Sequence, residues 1–372
     1  MEYKFGKINP TFGKEHDYLG MKIHIRDDRK LEIDMSAQIE EILEDFSEDI
    51  DEVVTTPATK KLMNVDEESP LLNEEKSAEF HSTTAKLLYL EKRARPDLEP
   101  TIAFLTTRVS DPTHEDWLKL RRVLAFLKKP KNDVRVIGCD TLSDIFTWVD
   151  AAYAVYNNMW SQTGGLMSLG WGAIHARSSK QKLNTKSSTE SELVGLSEYV
   201  PYNIWLVNFL TAQGYEIKQN IVYQDNESAI KMAKNGRNSC TGNSRHIHIR
   251  YFFVKDRVDK GELSIQYCPT HHMLADYFTK PLQGSLFHKF RNVIMGYNHI
   301  NTLSLPTEIK ERVGNNGKQN RNVISVSEIE QKPNKGTNTT PPLTYSQIVR
   351  LGANNTNMKI NHMENKHQDI PH

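Results

Sequence analysis

A chain of 372 residues has room for two domains and a tail, and its 47 basic residues balance 47 acidic ones, so any attraction to a polyanion must be local. Three cysteines, Cys139, Cys240 and Cys268, odd in number and far apart, exclude a disulfide framework and fit a reducing, intracellular setting. With no signal-peptide core near Met1 and no apolar run long enough to cross a bilayer, the expectation is a soluble protein, cytoplasmic or nuclear rather than secreted, with no membrane partner.

In chain order, Tyr18–Ile25 and Lys30–Asp34 predict two strands joined by a turn at Arg26–Arg29, and Ile39, Ile42, Leu43 and Phe46 predict a helix. The acidic, proline-containing stretch 47–78 reads as a mobile connection. Helical patterning returns at Ser82–Lys92 and Leu98–Arg108. After Asp111-Pro112-Thr113, the residues Trp117, Leu120, Val123, Leu124 and Leu127 predict an amphipathic helix. Lys128–Asp133 breaks the pattern and sets a domain boundary, giving segments 1–133, 134–298 and 299–372. The second segment holds strand-like runs at 134–138, 145–151, 165–170, 172–177, 221–224 and 263–268. Between them fall helices at about 188–213, 226–235 and 247–259, the first with the apolar stripe Leu193, Leu196, Val200, Ile204 and Val207. This is an α/β pattern, a mixed sheet with helices packed on it. From 299 onward the chain is rich in Asn, Lys, Thr and Pro, with Tyr345 its one aromatic residue, and is expected to be disordered. The sequon at Asn338 carries no weight in an intracellular protein.

Four carboxylates stand out. Asp150 ends Asp-Ile-Phe-Thr-Trp-Val-Asp, Asp225 ends Ile-Val-Tyr-Gln-Asp, Glu192 lies near the start of the long helix, and Asp276 lies in Met-Leu-Ala-Asp-Tyr-Phe-Thr-Lys. An acid at the end of an apolar strand is costly to bury unless a cation neutralises it, and several converging acids suggest oxygen ligands for Mg²⁺. Glu190 competes with Glu192, because periodicity does not separate them.

Lys186-Ser-Ser-Thr-Glu-Ser-Glu-Leu193, Gln224-Asp-Asn-Glu-Ser-Ala-Ile230, His246-Ile-His-Ile-Arg-Tyr-Phe-Phe253 and Leu274-Ala-Asp-Tyr-Phe-Thr-Lys280 resemble, in order and separation, the RNase H domain of copia-type LTR retrotransposon polyproteins. The resemblance covers roughly 136–298. It implies a ribonuclease H-like, five-stranded mixed sheet flanked by helices, which hydrolyses the RNA strand of an RNA–DNA hybrid with two Mg²⁺ (or Mn²⁺) ions. It also implies that Asp150, Glu192, Asp225 and Asp276 are the ligands, with Glu192 favoured over Glu190. His271 beside His272 could shuttle a proton, although the family often has acidic residues at these positions; two solvated loop histidines are the plainer reading. Zinc at Cys268 and His271 lacks a second ligand pair.

Ser187, Ser188, Thr189 and Asn226 could contact ribose or phosphate. More simply, Ser188 or Thr189 caps the long helix. Lys180, Lys182, Lys186, Arg245 and Arg250 form a locally basic stretch that could follow a hybrid's backbone or be a solvated face. Trp160 and Trp171 read as packing residues. Upstream, Phe12–Ile23, Arg95-Pro-Asp97, Asp111–Trp117 and Arg121–Leu127 resemble the end of a copia-type reverse transcriptase and its connection region. The polymerase Asp-Asp motif is expected upstream of the Leu-Gly strand, outside this chain, and Asp27-Asp28 lies in a turn. No polymerase activity is therefore expected, and the implied partners are the hybrid and the missing upstream polyprotein portion. The alternatives are an inactive, nucleic-acid-binding remnant and, less favoured, a transposase or integrase.

Overall fold

The computed structural model describes residues 11–128, 133–235 and 248–303, without the side chains of 248–251. Arg245, residues 129–132 of the expected boundary and 304–372 of the expected tail lie outside the described residues.

The architecture is α/β, with two five-stranded sheets and helices. The first sheet contains β1 (Glu15–Tyr18), β2 (Met21–Ile25), β3 (Leu31–Asp34), β4 (Arg135–Cys139) and β7 (Gly170–Trp171), in that order. Its first strand corrects the reading of Tyr18–Ile25 as one strand. Leu19 and Gly20 adopt φ of 50° and 73° and fold the run into a hairpin. β4 pairs with β3 and β7, so the strand that opens the second segment completes a sheet begun in the first.

The second sheet has the order β10-β9-β5-β6-β8, built from β5 (Asp144–Ala152), β6 (Gln162–Ser168), β8 (His175–Lys180), β9 (Gln219–Gln224) and β10 (Ser264–Tyr267). β5 runs antiparallel to β6 and parallel to β9, so the sheet is mixed. All nine residues of β5 are buried, as expected of a central strand covered on both faces. Its alternation sorts the core. Ile145 and Val149 join one cluster with Leu193, Leu196 and Val200. Phe146 and Trp148 join the other, with Leu87, Leu124 and Phe126 from the first third of the chain and Tyr277 and Phe290 from its end.

The helices begin where their caps dictate. α1 spans Ser36–Asp45, and α2 spans Glu74–Arg93, with Asn73 accepting from the Lys76 amide. A 3₁₀ turn at Pro96–Leu98 leads into α3 (Glu99–Thr106). Thr113 and Asp116 then form a capping box for α4 (His114–Leu127). α5 covers Ser188–Ala212, α6 Glu227–Asn235, α7 His248–Asp259, α8 Asp276–Thr279 and α9 Gly284–Ile294. The long helix keeps Leu193, Leu196 and Val200 buried, while Ile204 and Val207 are partly buried. Its cap is Ser187, which accepts from the Glu190 amide, and not Ser188 or Thr189.

The stretch 47–78 is not the loose connection expected. Ile50, Thr56, Ala58, Leu62 and Met63 are buried, and α2 starts four residues before its end. Ile300 and Leu303 are also buried, so packing continues to the last described residue. No helix among the described residues is long and apolar enough to cross a membrane.

A buried ion network fastens the first third to the end of the molecule. Arg95 donates from Nε and Nη2 to both oxygens of Asp97 at 2.9 Å, Arg291 Nε donates to the same carboxylate at 2.8 Å, and Tyr277 Oη donates to the Asp97 carbonyl at 3.0 Å. Burial alone would push the Asp97 carboxyl upward, but Arg95 and Arg291 hold it well below the usual range. Replacing Asp97 with Asn leaves the two guanidiniums only the half-buried Asp133, 2.6 Å from Arg291 and 3.9 Å from Arg95. Urea denaturation should then show a loss of about 2–4 kcal/mol, below that of a fully unpaired buried charge. A loss well under ~1 kcal/mol, the scale of a surface pair, would mean the network is dispensable.

Candidate metal centre

Three chain segments far apart in sequence deliver acids to one end of the second sheet. β5 and β9 pair in parallel with Trp148 opposite Tyr223, so Asp150 and Asp225, each two residues further on, arrive side by side. The third acid depends on a glycine. Gly164 lies opposite Asp150 on β6, and a Cβ there would sit 2.6 Å from Thr279 Cγ2 and 2.8 Å from Phe278 Cβ. Its bare backbone lets α8 settle on the sheet, which brings Asp276 beside Asp150 and lets the Thr279 hydroxyl donate to Asp150 Oδ2. Asp150, Asp225 and Asp276 each offer a carboxylate oxygen, and these lie within 4.8 Å of one another. This acidic triad could hold a metal ion.

Glu192 approaches from α5. It is buried, and its Oε2 accepts from Gln224 Nε2 at 3.1 Å. The same Gln224 amide donates to the Val149 carbonyl at 3.2 Å and its Oε1 accepts from the Asn226 amide at 2.9 Å. Gln224 therefore ties together the strand ends that carry Asp150 and Asp225. Glu190, two residues earlier, turns back to accept from the Lys186 amide at 2.7 Å. Separation of the two glutamates thus comes from the helix start, where Glu190 bonds to backbone and Glu192 faces the aspartates.

The electrostatics follow from crowding. Burial, then the charges of Asp150 and Asp225, raise the Glu192 carboxyl well above its ordinary value. Burial and Asp150 push Asp276 up to about 7, and the same two causes raise Asp225. Opposing them is Lys280, whose Nζ lies 2.7 Å from Asp276 Oδ1 and 3.6 Å from Asp150 Oδ2. Thr270 Oγ1 also donates to Asp225 Oδ2 at 3.0 Å. Among the described residues one ammonium faces four carboxyl groups, which leaves the site short of positive charge, and an all-oxygen donor set suits a hard divalent cation.

The other expected site residues are dispersed. His271 is exposed on a 3₁₀ turn, Thr270–His272, next to the threonine that binds Asp225, with its ring 3.9 Å from that of buried His272. Lys186, Ser187 and Ser188 are exposed and Thr189 half-buried at the start of α5. Asn226 Oδ1 accepts from the Ala229 amide at 3.0 Å and so caps α6. Lys182 is exposed, Arg250 lies in α7, and Lys180 sits over the Tyr156 and Trp160 rings at 4.4 and 5.2 Å. Burial pushes the Cys268 thiol up to about 12, which makes it a poor thiolate ligand. Sequence reasoning passed over Gln224, Thr270, Thr279 and Lys280, although the four-residue spacing from Asp276 to Lys280 on one helical turn was a readable signal.

No family model matches the chain. The Pol polyprotein from transposon TNT 1-94 of Nicotiana tabacum is 29% identical over 288 residues, 76% of this chain and 22% of that protein. The one from transposon RE2 of Arabidopsis thaliana is 30% identical over 219 residues, 58% of this chain and 15% of that protein. The homologues of this chain are retrovirus-related Pol polyproteins of plant transposons. A much shorter protein, secreted RxLR effector protein 161 of Plasmopara viticola, is 30% identical over 132 residues, 35% of this chain and 93% of its own length. The chain thus spans about a fifth or less of the Pol polyproteins it matches.

The raised carboxyl groups fix a pH dependence. Asp276 binds its proton more tightly folded than unfolded, so without metal its contribution to stability falls as pH rises from the ordinary carboxylate range through about 7. A divalent ion must displace that proton, so thermal stabilisation by Mn²⁺ should grow between about pH 6 and pH 8. Glu192→Gln should raise the metal-free melting temperature above neutral pH and blunt the Mn²⁺ response. Glu190→Ala should instead cost about 0.5–2 kcal/mol, as lost helix caps do, and leave that response intact. The opposite pattern would exchange the two roles.

Proposed function

We propose that residues 134–298 act as a ribonuclease H-like domain of a copia-type retrotransposon polyprotein, hydrolysing the RNA strand of RNA–DNA hybrids. The observation that carries this reading is the meeting of Asp150, Asp225 and Asp276 within 4.8 Å. Asp225 and Asp276 come from two separate motifs that resemble the family, and Asp150 ends the strand whose acid the resemblance implies as a ligand. The mixed sheet order, with the first acid on its central strand, supports the same reading, as does the relationship to Pol polyproteins.

Asp150, Glu192, Asp225 and Asp276 are the residues that would hold a pair of Mg²⁺ or Mn²⁺ ions. When bound, such a pair would activate water as the nucleophile and stabilise charge on the departing 3′ oxygen. The chain's own groups orient and neutralise. Gln224 and Thr279 fix the directions of Glu192 and Asp150, while Lys280 balances Asp276 and Asp150. His271, exposed beside the centre, would carry a proton to or from solvent. Lys186, Ser187, Ser188 and Thr189 at the start of α5, with Asn226 after β9, would meet the substrate's phosphates and ribose hydroxyls, while Arg245 and Arg250 would follow its backbone. Residues 1–133 would be the end of the reverse transcriptase and its connection region, and the upstream polyprotein portion would be the protein partner.

One observation favours a second reading, a nucleic-acid-binding remnant without hydrolysis. Lys280 Nζ already sits against two of the three aspartates and could serve as their permanent counterion. Incubating the full chain with a labelled RNA–DNA hybrid and Mg²⁺ or Mn²⁺ separates the readings. The nuclease predicts RNA cleavage that Asp150→Asn reduces below detection. Binding without cleavage by the unaltered chain supports the remnant, and strand joining would point to an integrase.

A further inference from the structure

Away from the carboxylates, the outer edge of β8 faces α2 and α3 across a cleft of about 550 Å³. Four cations line it; Lys92 is in ion-pair contact with carboxylates, and Arg135 feels the Glu91 charge beyond ion-pair distance. Lys92 Nζ lies 2.5 Å from Glu99 and 3.3 Å from Glu91. Glu99 also accepts from the Ser178 amide at 2.9 Å, which seals the sheet edge at that point. Among the described ion pairs, none joins Arg135, Arg177 or Lys180 to an acid.

Arg135 is buried and donates only to the carbonyls of Arg93 and Ala173, and its Nε has no hydrogen-bond partner. Arg177 is spent on the hydroxyls of Ser179 and Tyr202, and Lys180 on aromatic faces. Buried or half-buried cations are normally paired. A cleft lined by Arg177 and Lys180 with no carboxylate at ion-pair distance, and by Arg135 with only the more distant Glu91, is therefore short of negative charge and suits an anion. The same field reaches His175, whose imidazole is pushed down to about 4 by burial and then by Lys92, Arg177 and Arg135.

The cleft is placed relative to the acids by strand register. Asp150 pairs with Gly164 and Gly164 with Ser178, so Ser178 lies two strand spacings from Asp150, roughly 10 Å. Alternation puts Lys180 on the same sheet face as Ser178 and Asp150. At ~3.4 Å of rise per nucleotide in one strand, 10 Å is about three nucleotides.

We infer that this cleft binds the phosphodiester backbone of a nucleic-acid strand about three nucleotides from the acidic centre, with Arg177 and Lys180 contacting phosphates and Arg135 closing the back. The identity of that strand, one strand of an RNA–DNA hybrid, rests on the proposed function; the anion site does not.

Fluorescence anisotropy of a labelled hybrid with the full chain, in EDTA and between about 50 and 200 mM salt, reads the site without cleavage. The double variant Arg177→Gln/Lys180→Gln should flatten the slope of log affinity against log salt by about 2, near 0.9 for each phosphate no longer neutralised. Lys180→Glu should weaken binding more than Lys180→Gln, and Lys180→Arg should restore it. Unchanged affinity and slope in a double variant of native melting temperature would overturn the inference, as would a wild-type chain that binds no hybrid. Millimolar inorganic phosphate that stabilises the wild type but not the double variant, with hybrid binding equal in both, would also overturn it and assign the cleft to a small free anion. A chain that cleaves hybrid while its cleft variants bind normally refutes the cleft alone. A chain that binds through the cleft but never cleaves with Mg²⁺ or Mn²⁺ refutes the nuclease alone.

Discussion

Like-charge repulsion in a small buried space is the constraint on which the rest of the molecule depends. Asp150, Glu192 and Asp276 are buried and Asp225 half-buried, and among the described residues Lys280 is the cation in contact with them. Such a cluster flies apart unless its members are held from outside, and each is. Asp150 is fixed in a fully buried central strand, Asp225 by parallel pairing, Glu192 through Gln224, and Asp276 by the seat that Gly164 offers to α8. Burial and the neighbouring carboxylates push Asp276 up to about 7 and Glu192 well above its ordinary value, so protons offset part of the repulsion. A centre arranged in this way could hold a divalent cation in place of those protons.

Holding the acids requires a sheet that cannot flex, and the first third of the chain contributes to that. One face of the second sheet is covered by α5, and the other shares a core with α2, α4 and α9. Asp97, Arg95 and Arg291 lock that arrangement, and Tyr277, the residue after Asp276, donates its hydroxyl to the Asp97 carbonyl. The Arg95-Pro-Asp97 run thus braces the helix that carries the fourth acid. The same packing between halves creates the cationic cleft, because its walls come from α2 and α3 on one side and from β8 on the other. An overall charge of zero conceals it.

Much of the fold was legible in the residues because the signals are local. The strand-like run 145–151, the helical stripe after Ser187 and the Thr113 capping signal each predicted an element within a few residues of its observed bounds. Acids at the ends of apolar runs marked the candidate centre for the same reason, since an unpaired charge there is costly and so conspicuous. Local signals failed where partners are distant. The choice between Glu190 and Glu192 depends on which one turns back to the helix start, and the role of Lys280 depends on where α8 lands. The turn at Leu19–Gly20 rests on positive φ in a residue type that rarely adopts it, so no turn signal preceded it. The stretch 47–78, polar in composition, is ordered by a few apolar residues whose burial depends on helices formed later in the chain.

The sequence by itself therefore determined the α/β class and most of the elements and marked the four acids as candidates, because hydrophobic period and desolvation cost are written residue by residue. Tertiary structure alone decided that the strand after the expected boundary belongs to the first sheet, that a glycine opposite Asp150 admits α8, and that Arg135, Arg177 and Lys180 share one cleft. Those outcomes depend on the register and packing of segments dozens of residues apart. Local periodicity holds no information about which distant surface a given face will meet.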